Sequence, residues 1–168
     1  MSGKFEDDVV WITGASSGIG RETALEFARQ GADLALSARR REALEEVAES
    51  VRQQGGSALV VPCDVTDSSQ IQAAVDQIVE HFGKLDVAVA NAGFSVTGPI
   101  REVEEDEWRR QFDVNVIGLA MTAKKALPEL EKTGGRVALI GSVAGLVPVP
   151  GNGAYGASKA AVDTIGKV

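Results

Sequence analysis

The sequence predicts an α/β protein built on a parallel sheet of about five strands. Three observations carry this. Short β-branched and aliphatic runs alternate five times with segments of helical period, one helical segment between each pair of strands. The first strand runs straight into a turn with three glycines, Gly14, Gly18 and Gly20, that opens a helix. The unusual polar residues Ser16, Ser17, Arg39, Asp64, Asn91 and Ser142 all follow predicted strands, at the carboxyl ends where such sheets hold ligands.

In chain order, Val9 to Ile12 suits a buried strand. Ile19, Ala24, Leu25, Phe27 and Ala28 then form the apolar face of a helix that stops at Gly31. Asp33 to Ser37 is a second strand. Arg41 to Gln54 is a helix with Leu44, Val47, Ala48 and Val51 on one face. Leu59 to Val61 is a third strand, and Thr66, Asp67 and Ser68 supply caps for the next helix. That helix carries Ile71, Val75, Ile78, Val79 and Phe82 and ends at Gly83. Leu85 to Ala90 is a fourth strand, running into the turn Asn91-Ala92-Gly93. A longer helix spans Glu104 to Leu127; its acidic start suits the helix dipole, and Trp108, Phe112, Val116, Leu119, Ala123 and Leu127 are expected to line its inner face. Arg136 to Ile140 is a fifth strand, and a last helix begins at about Ala154.

A strand feeding a glycine turn and a helix start is a device for phosphate, because the backbone can approach an anion and the free N–H groups point at it. The spacing here is G-x-x-x-G-x-G, not G-x-G-x-x-G, and the Lys then Ser or Thr of a P-loop is missing. Standing alone, the turn is equally that of an ordinary strand–helix connection.

Composition narrows the function classes. The 168 residues are 44% hydrophobic and 24% charged, enough for one domain over 1–168 with a real core. A net charge of −7 leaves no basic stripe for nucleic acid. Cys63 and His81 are each single, so neither a disulfide framework nor a metal cluster is expected. Met1 to Asp8 carries no apolar segment and no run reaches the length of a membrane span, which predicts a cytoplasmic protein with no membrane partner.

Tyr155 and Lys159 stand four apart on the last predicted helix and leave the same face. A lysine ammonium beside a phenol favours the phenolate and equips the tyrosine as a general acid or base. The alternative is a partly buried tyrosine and a solvated lysine. Ser142, directly after the fifth strand, is placed to face the same crevice.

At this point the chain resembles the short-chain dehydrogenase/reductase family. The likeness rests on Thr13-Gly14-Ala15-Ser16-Ser17-Gly18-Ile19-Gly20, Asp64-Val65, Asn91-Ala92-Gly93, Asn115, Ser142 and Tyr155-Gly156-Ala157-Ser158-Lys159, in the family's order and spacing. It implies a Rossmann-like doubly wound sheet and interconversion of a carbonyl compound and an alcohol. It also implies roles. Gly14, Ser16, Ser17, Gly18, Ile19 and Gly20 would hold the cofactor pyrophosphate, and Asp64 and Val65 would border the adenine. Asn91, with Ala92 and Gly93, would lie by the nicotinamide ribose. Tyr155 would exchange the proton, Lys159 would bind the ribose and tune Tyr155, and Ser142 would hold the carbonyl oxygen. Asn115 would anchor a water in the proton relay; its other reading is a helix-interior asparagine bonding nearby backbone.

The cofactor expectation is NADP(H). An NAD site wants an acid at the end of the second strand. Here that end reads Ser37-Ala38-Arg39-Arg40, Asp33 lies at the opposite end, and Arg39 can pair with a 2′-phosphate. The resemblance further implies more strands beyond the last helix than this sequence holds, leaving the fifth strand as an open edge. A homo-oligomer through the last two helices is expected. The competing reading is a non-catalytic dinucleotide-binding module, or an inactive fragment of a longer reductase.

Overall fold

A computed structural model describes residues 3–168; Met1 and Ser2, part of the start read above as lacking a leader, lie outside the described residues. Five strands, β1 (Val9–Thr13), β2 (Asp33–Ser37), β3 (Ala58–Val60), β4 (Val87–Ala90) and β5 (Arg136–Leu139), form one sheet in the order β3-β2-β1-β4-β5. Every pairing is parallel. Six helices alternate with them: α1 (Gly18–Arg29), α2 (Arg41–Gln53), α3 (Ser68–Phe82), α4 (Glu105–Phe112), α5 (Leu119–Thr133) and α6 (Gly153–Lys167).

The period of two along β1 builds the two layers. Val10 and Ile12 pack with Leu34 and Leu36 against α1 and α2, through Ala24, Leu25, Leu44, Val47 and Val51. Val9 and Trp11 face the other way, onto Ile71, Val75 and Ile78 of α3 and Ala126 and Leu130 of α5. Both faces of a parallel sheet are thereby covered, the doubly wound arrangement expected from the sequence. Trp11 is fully buried and spends its indole N–H on Ser37 Oγ at 2.9 Å.

The helix predicted over Glu104–Leu127 is longer and less regular than its sequence suggests. It continues through Pro128 to Thr133, and between α4 and α5 it widens into a π-helical segment, Asp113–Gly118. Burial of Ala126 and Leu130, with Thr133 Oγ1 donating to Leu85 O at 2.9 Å, holds the last turns on the sheet despite the proline. The expected inner face is also displaced. Leu127 is 45% exposed; of the expected set Leu119 is buried, and Gln111, Asn115, Gly118, Thr122, Ala126 and Leu130 are the other buried residues. Polar side chains occupy that face because each finds a hydrogen-bond partner there: Gln111 at Val96, Asn115 at Phe94 and Thr122 at Gly118 O.

β5 lies at the sheet edge, with Arg136 and Ala138 exposed. No helix among the described residues is long and apolar enough to cross a membrane.

Candidate active site

β1 is central, and the chain leaves it first toward β2 and later toward β4, so the sheet's switch point lies at its carboxyl end. A cleft of about 1050 Å³ opens there. Each strand delivers its following residues to it: Gly14 and Ser16–Ile19 after β1, Ala38–Arg40 after β2, Cys63–Thr66 after β3, Asn91–Ser95 after β4, and Ile140 and Gly141 after β5. Tyr155 and Lys159 reach it from α6, and Arg110, Asp113 and Val114 from the α4 region.

The glycine turn is held from beneath by a buried hydroxyl. Thr13 Oγ1 accepts the N–H groups of Asn91 at 3.1 Å and Ala92 at 3.2 Å and donates to Val89 O at 3.4 Å. Asn91 returns the contact, its Nδ2 donating to Thr13 O at 2.9 Å and Gly14 O at 3.3 Å. The β1 and β4 ends are thus tied into one unit. Gly14 has φ +68°, and a Cβ there would stand 2.8 Å from Asn91 Nδ2. Gly20 is buried behind the turn, where a Cβ would meet Gly14 O at 2.3 Å. α1 then starts with no capping side chain and no acid in its first turn, so its orphan N–H groups are left for another acceptor.

On the adenine side expected from the sequence, Asp64 Oδ1 accepts from Thr66 N at 3.0 Å and Thr66 Oγ1 at 2.8 Å. Arg39 and Arg40 are exposed and make no ion pair among the described residues, whereas Arg41 pairs with Glu45 on α2. Ser37 Oγ accepts from the Trp11 indole, and Ala38, Arg39 and Arg40 follow it, so no carboxylate stands at the end of β2.

On the other side, Lys159 is 4% exposed, its Nζ donating to Ile140 O at 2.7 Å and lying 5.9 Å from the Tyr155 ring centre. Burial lowers the Lys159 pKa from its ordinary value by penalising the charged form. The ammonium is therefore fixed to the end of β5 and keeps two N–H donors. Cys63, 2% exposed, has its thiol pushed up to about 11 by burial and by the charges of Asp64 and Asp67.

Gly20 and Asn115 are buried behind the cleft, and Ser142, half-buried, directly follows the lining residue Gly141 without itself being part of the wall. Ser142 Oγ accepts from Ala144 N at 3.2 Å in a short 3₁₀ turn, Val143–Gly145, which leaves its proton free to donate. Asn115 is fully buried. Its Oδ1 accepts from Phe94 N at 3.0 Å, and its Nδ2 donates to Phe94 O at 2.9 Å and Ser158 Oγ at 3.1 Å. Both amide protons are used, so the side chain has no donor left for a water. Ser158 Oγ in turn donates to Tyr155 O at 2.7 Å. Sequence reasoning overlooked Thr13, Ser158 and Gln111 as supports and Phe94, Ser95 and Arg110 as wall; of these, only Thr13 and Ser158, which lie within the quoted motifs, carried a signal that could have drawn attention to them.

The profile of the short chain dehydrogenase family matches residues 8–168. The chain belongs to the short-chain dehydrogenase/reductase family. An uncharacterised oxidoreductase of Listeria monocytogenes is 39% identical over 158 residues, covering 94% of this chain and 64% of that protein. A solved NAD⁺-bound xylitol dehydrogenase superposes with a TM-score of 0.93 at 35% identity, over 96% of this chain and 63% of the other. An alcohol dehydrogenase from the archaeon Thermococcus sibiricus, complexed with 5-hydroxy-NADP, gives 0.91 at 34% identity, over 94% and 68%. The chain spans between 45% and 64% of the length of the curated relatives compared with it.

Proposed function

We propose that this oxidoreductase interconverts a carbonyl compound and an alcohol with NADP(H), and that Tyr155 is its proton donor. The observation that carries the reading is one cleft, walled at one end by a glycine turn and at the other by Tyr155 and Lys159 from successive turns of α6. The cleft suits a dinucleotide: Gly14 and Gly20 lie where a Cβ would strike backbone or Asn91, so the turn stays narrow, and an uncapped helix start and Arg39 supply donors for phosphate.

The nicotinamide supplies or accepts the hydride when bound. This chain's residues do the rest. Ser16, Ser17, Gly18 and Ile19 would hold the pyrophosphate, Asp64 and Val65 would border the adenine, and Asn91, Ala92 and Gly93 would line the ribose. Lys159, pinned by Ile140 O, offers its remaining N–H groups to ribose hydroxyls and its charge to Tyr155. Ser142 donates its hydroxyl proton to the carbonyl oxygen, and Tyr155 gives that oxygen a proton in reduction and takes it back in oxidation. Asn115 steadies this arrangement by holding Phe94 and, through Ser158, the turn that carries Tyr155.

Both NAD⁺ and an NADP derivative occur among the solved relatives, so the preference for NADP(H) rests on this chain's own Arg39 and on the missing acid beside it. Exposed Ile117 and Leu127 favour self-association through the long helix.

The test is Tyr155→Phe, which removes only the hydroxyl. Carbonyl reduction with NADPH should fall by roughly 10²–10⁴-fold while NADPH still binds. A variant that keeps most of its turnover excludes Tyr155 as the proton donor.

A further inference from the structure

Among the described residues, two buried side-chain polar atoms have no partner: Gln111 Nε2, a donor, and Asn152 Oδ1, an acceptor. Gln111 is fully buried on α4, and its Oε1 accepts the Val96 N–H at 3.0 Å. That bond fixes the orientation of the carboxamide, since its nitrogen could not face an N–H. Asn152 precedes α6 at the N-cap position, yet its side chain makes no capping bond.

Both flank one segment. Val96 is held by Gln111, while two residues on Gly98 donates to Gly151 O at 2.8 Å and bridges to Asn152. The start of α6 also lies against α4, where a Cβ at Gly153 would stand 3.9 Å from the Trp108 ring. One turn along from Gln111, Asn115 holds Phe94 at both N–H and C=O. Two carboxamides four residues apart thus grip alternate residues of the loop that forms the cleft wall, much as a neighbouring strand would. Buried polar atoms are seldom left orphaned, and a complementary donor and acceptor are commonly joined by an internal water.

We propose that Gln111 is a positioning residue: one buried water joins its Nε2 to Asn152 Oδ1, locking the 94–98 loop to the first turn of α6. Cleft wall and Tyr155 then keep one geometry. The consequence for turnover rests on the proposed reductase reading; the lock itself does not.

The experiment is amide hydrogen exchange on the full chain, comparing Gln111→Met, Asn152→Leu, the double variant and Asn152→Asp, which keeps an acceptor. The informative amides are those across the lock from each substitution. Val96 should exchange about tenfold faster in Asn152→Leu, and Gly156, which bonds Asn152 O, about tenfold faster in Gln111→Met, the equivalent of one hydrogen bond. The double variant should be no faster than the faster single, and Asn152→Asp should match the unsubstituted chain. Asn152→Ala serves where leucine prevents folding. Effects confined to the substituted side, or additive in the double variant, overturn the proposal. In NADPH-dependent reduction, kcat should fall about tenfold in both single variants with the KM for NADPH unchanged; unchanged kcat overturns the positioning role. If the unsubstituted chain reduces no carbonyl compound, the reductase reading fails, and the exchange data still decide the lock.

Discussion

Replacing Thr13 with valine should loosen the glycine turn more than any other isosteric change near the cleft. Thr13 is 1% exposed, and its hydroxyl accepts two backbone N–H groups, those of Asn91 and Ala92, while donating a longer bond to Val89 O. Valine keeps the shape and removes the oxygen. Both N–H groups then lie in a part-buried site with no acceptor, and each orphaned donor costs about 1–3 kcal/mol. The sum, about 2–5 kcal/mol after some relaxation, is a large share of the roughly 5–15 kcal/mol that holds a typical domain. Thr13→Ser is the control: it keeps the oxygen and loses one methyl, for about 0.5–1.5 kcal/mol. Urea denaturation of the three proteins reads these differences, and NADPH titration should show weaker binding for the valine variant, because Asn91 and Gly14 share the loosened turn. A Thr13→Val protein within about 0.5 kcal/mol of the unsubstituted chain would refute the reasoning, for it would mean that the two N–H groups find other partners at no cost.

Three further outcomes follow from the same geometry. NADPH should bind more tightly than NADH by about 10–150-fold, the worth of a charge-assisted pair at Arg39, and Ala38→Asp with Arg39→Ala should reverse the order; equal affinities in the starting protein would remove the basis for NADP(H). Gly20→Ala should destabilise the fold by about 1–3 kcal/mol and weaken cofactor binding, since its Cβ would lie 2.3 Å from Gly14 O and 2.6 Å from Asn91 Nδ2; unaltered denaturation and affinity would show that the turn can give way freely. Cys63, with its thiol pushed up to about 11, should resist alkylation at pH 8 in the native protein, where about one molecule in a thousand is thiolate, and react promptly once unfolded; stoichiometric labelling of the native chain would contradict its burial.

What the sequence determined by itself was the architecture and the place of the site. Strand and helix periods differ, so the alternation was visible in one dimension, and a parallel sheet gathers its post-strand residues at one edge whatever their identity. Gly14, Arg39, Asp64 and Asn91 could therefore be nominated from order, and Tyr155 from its spacing to Lys159, and all five line the cleft. What only the tertiary structure decided was how polar side chains are used once inside. Gln111 and Asn115 fall on a face that hydropathy assigns to solvent, because a pattern of apolar residues cannot register that Val96 and Phe94 wait there as partners. The helix runs through Pro128 because Leu130 finds a buried place on the sheet, and its π-helical widening leaves no mark in the spacing. The spacing of Tyr155 and Lys159 left a solvated lysine as the alternative, and only the docking of α6 beside β5, where Ile140 O takes the ammonium, shows it buried. In each case the deciding partner is distant in sequence, so the energy of the contact exists only after the chain has folded.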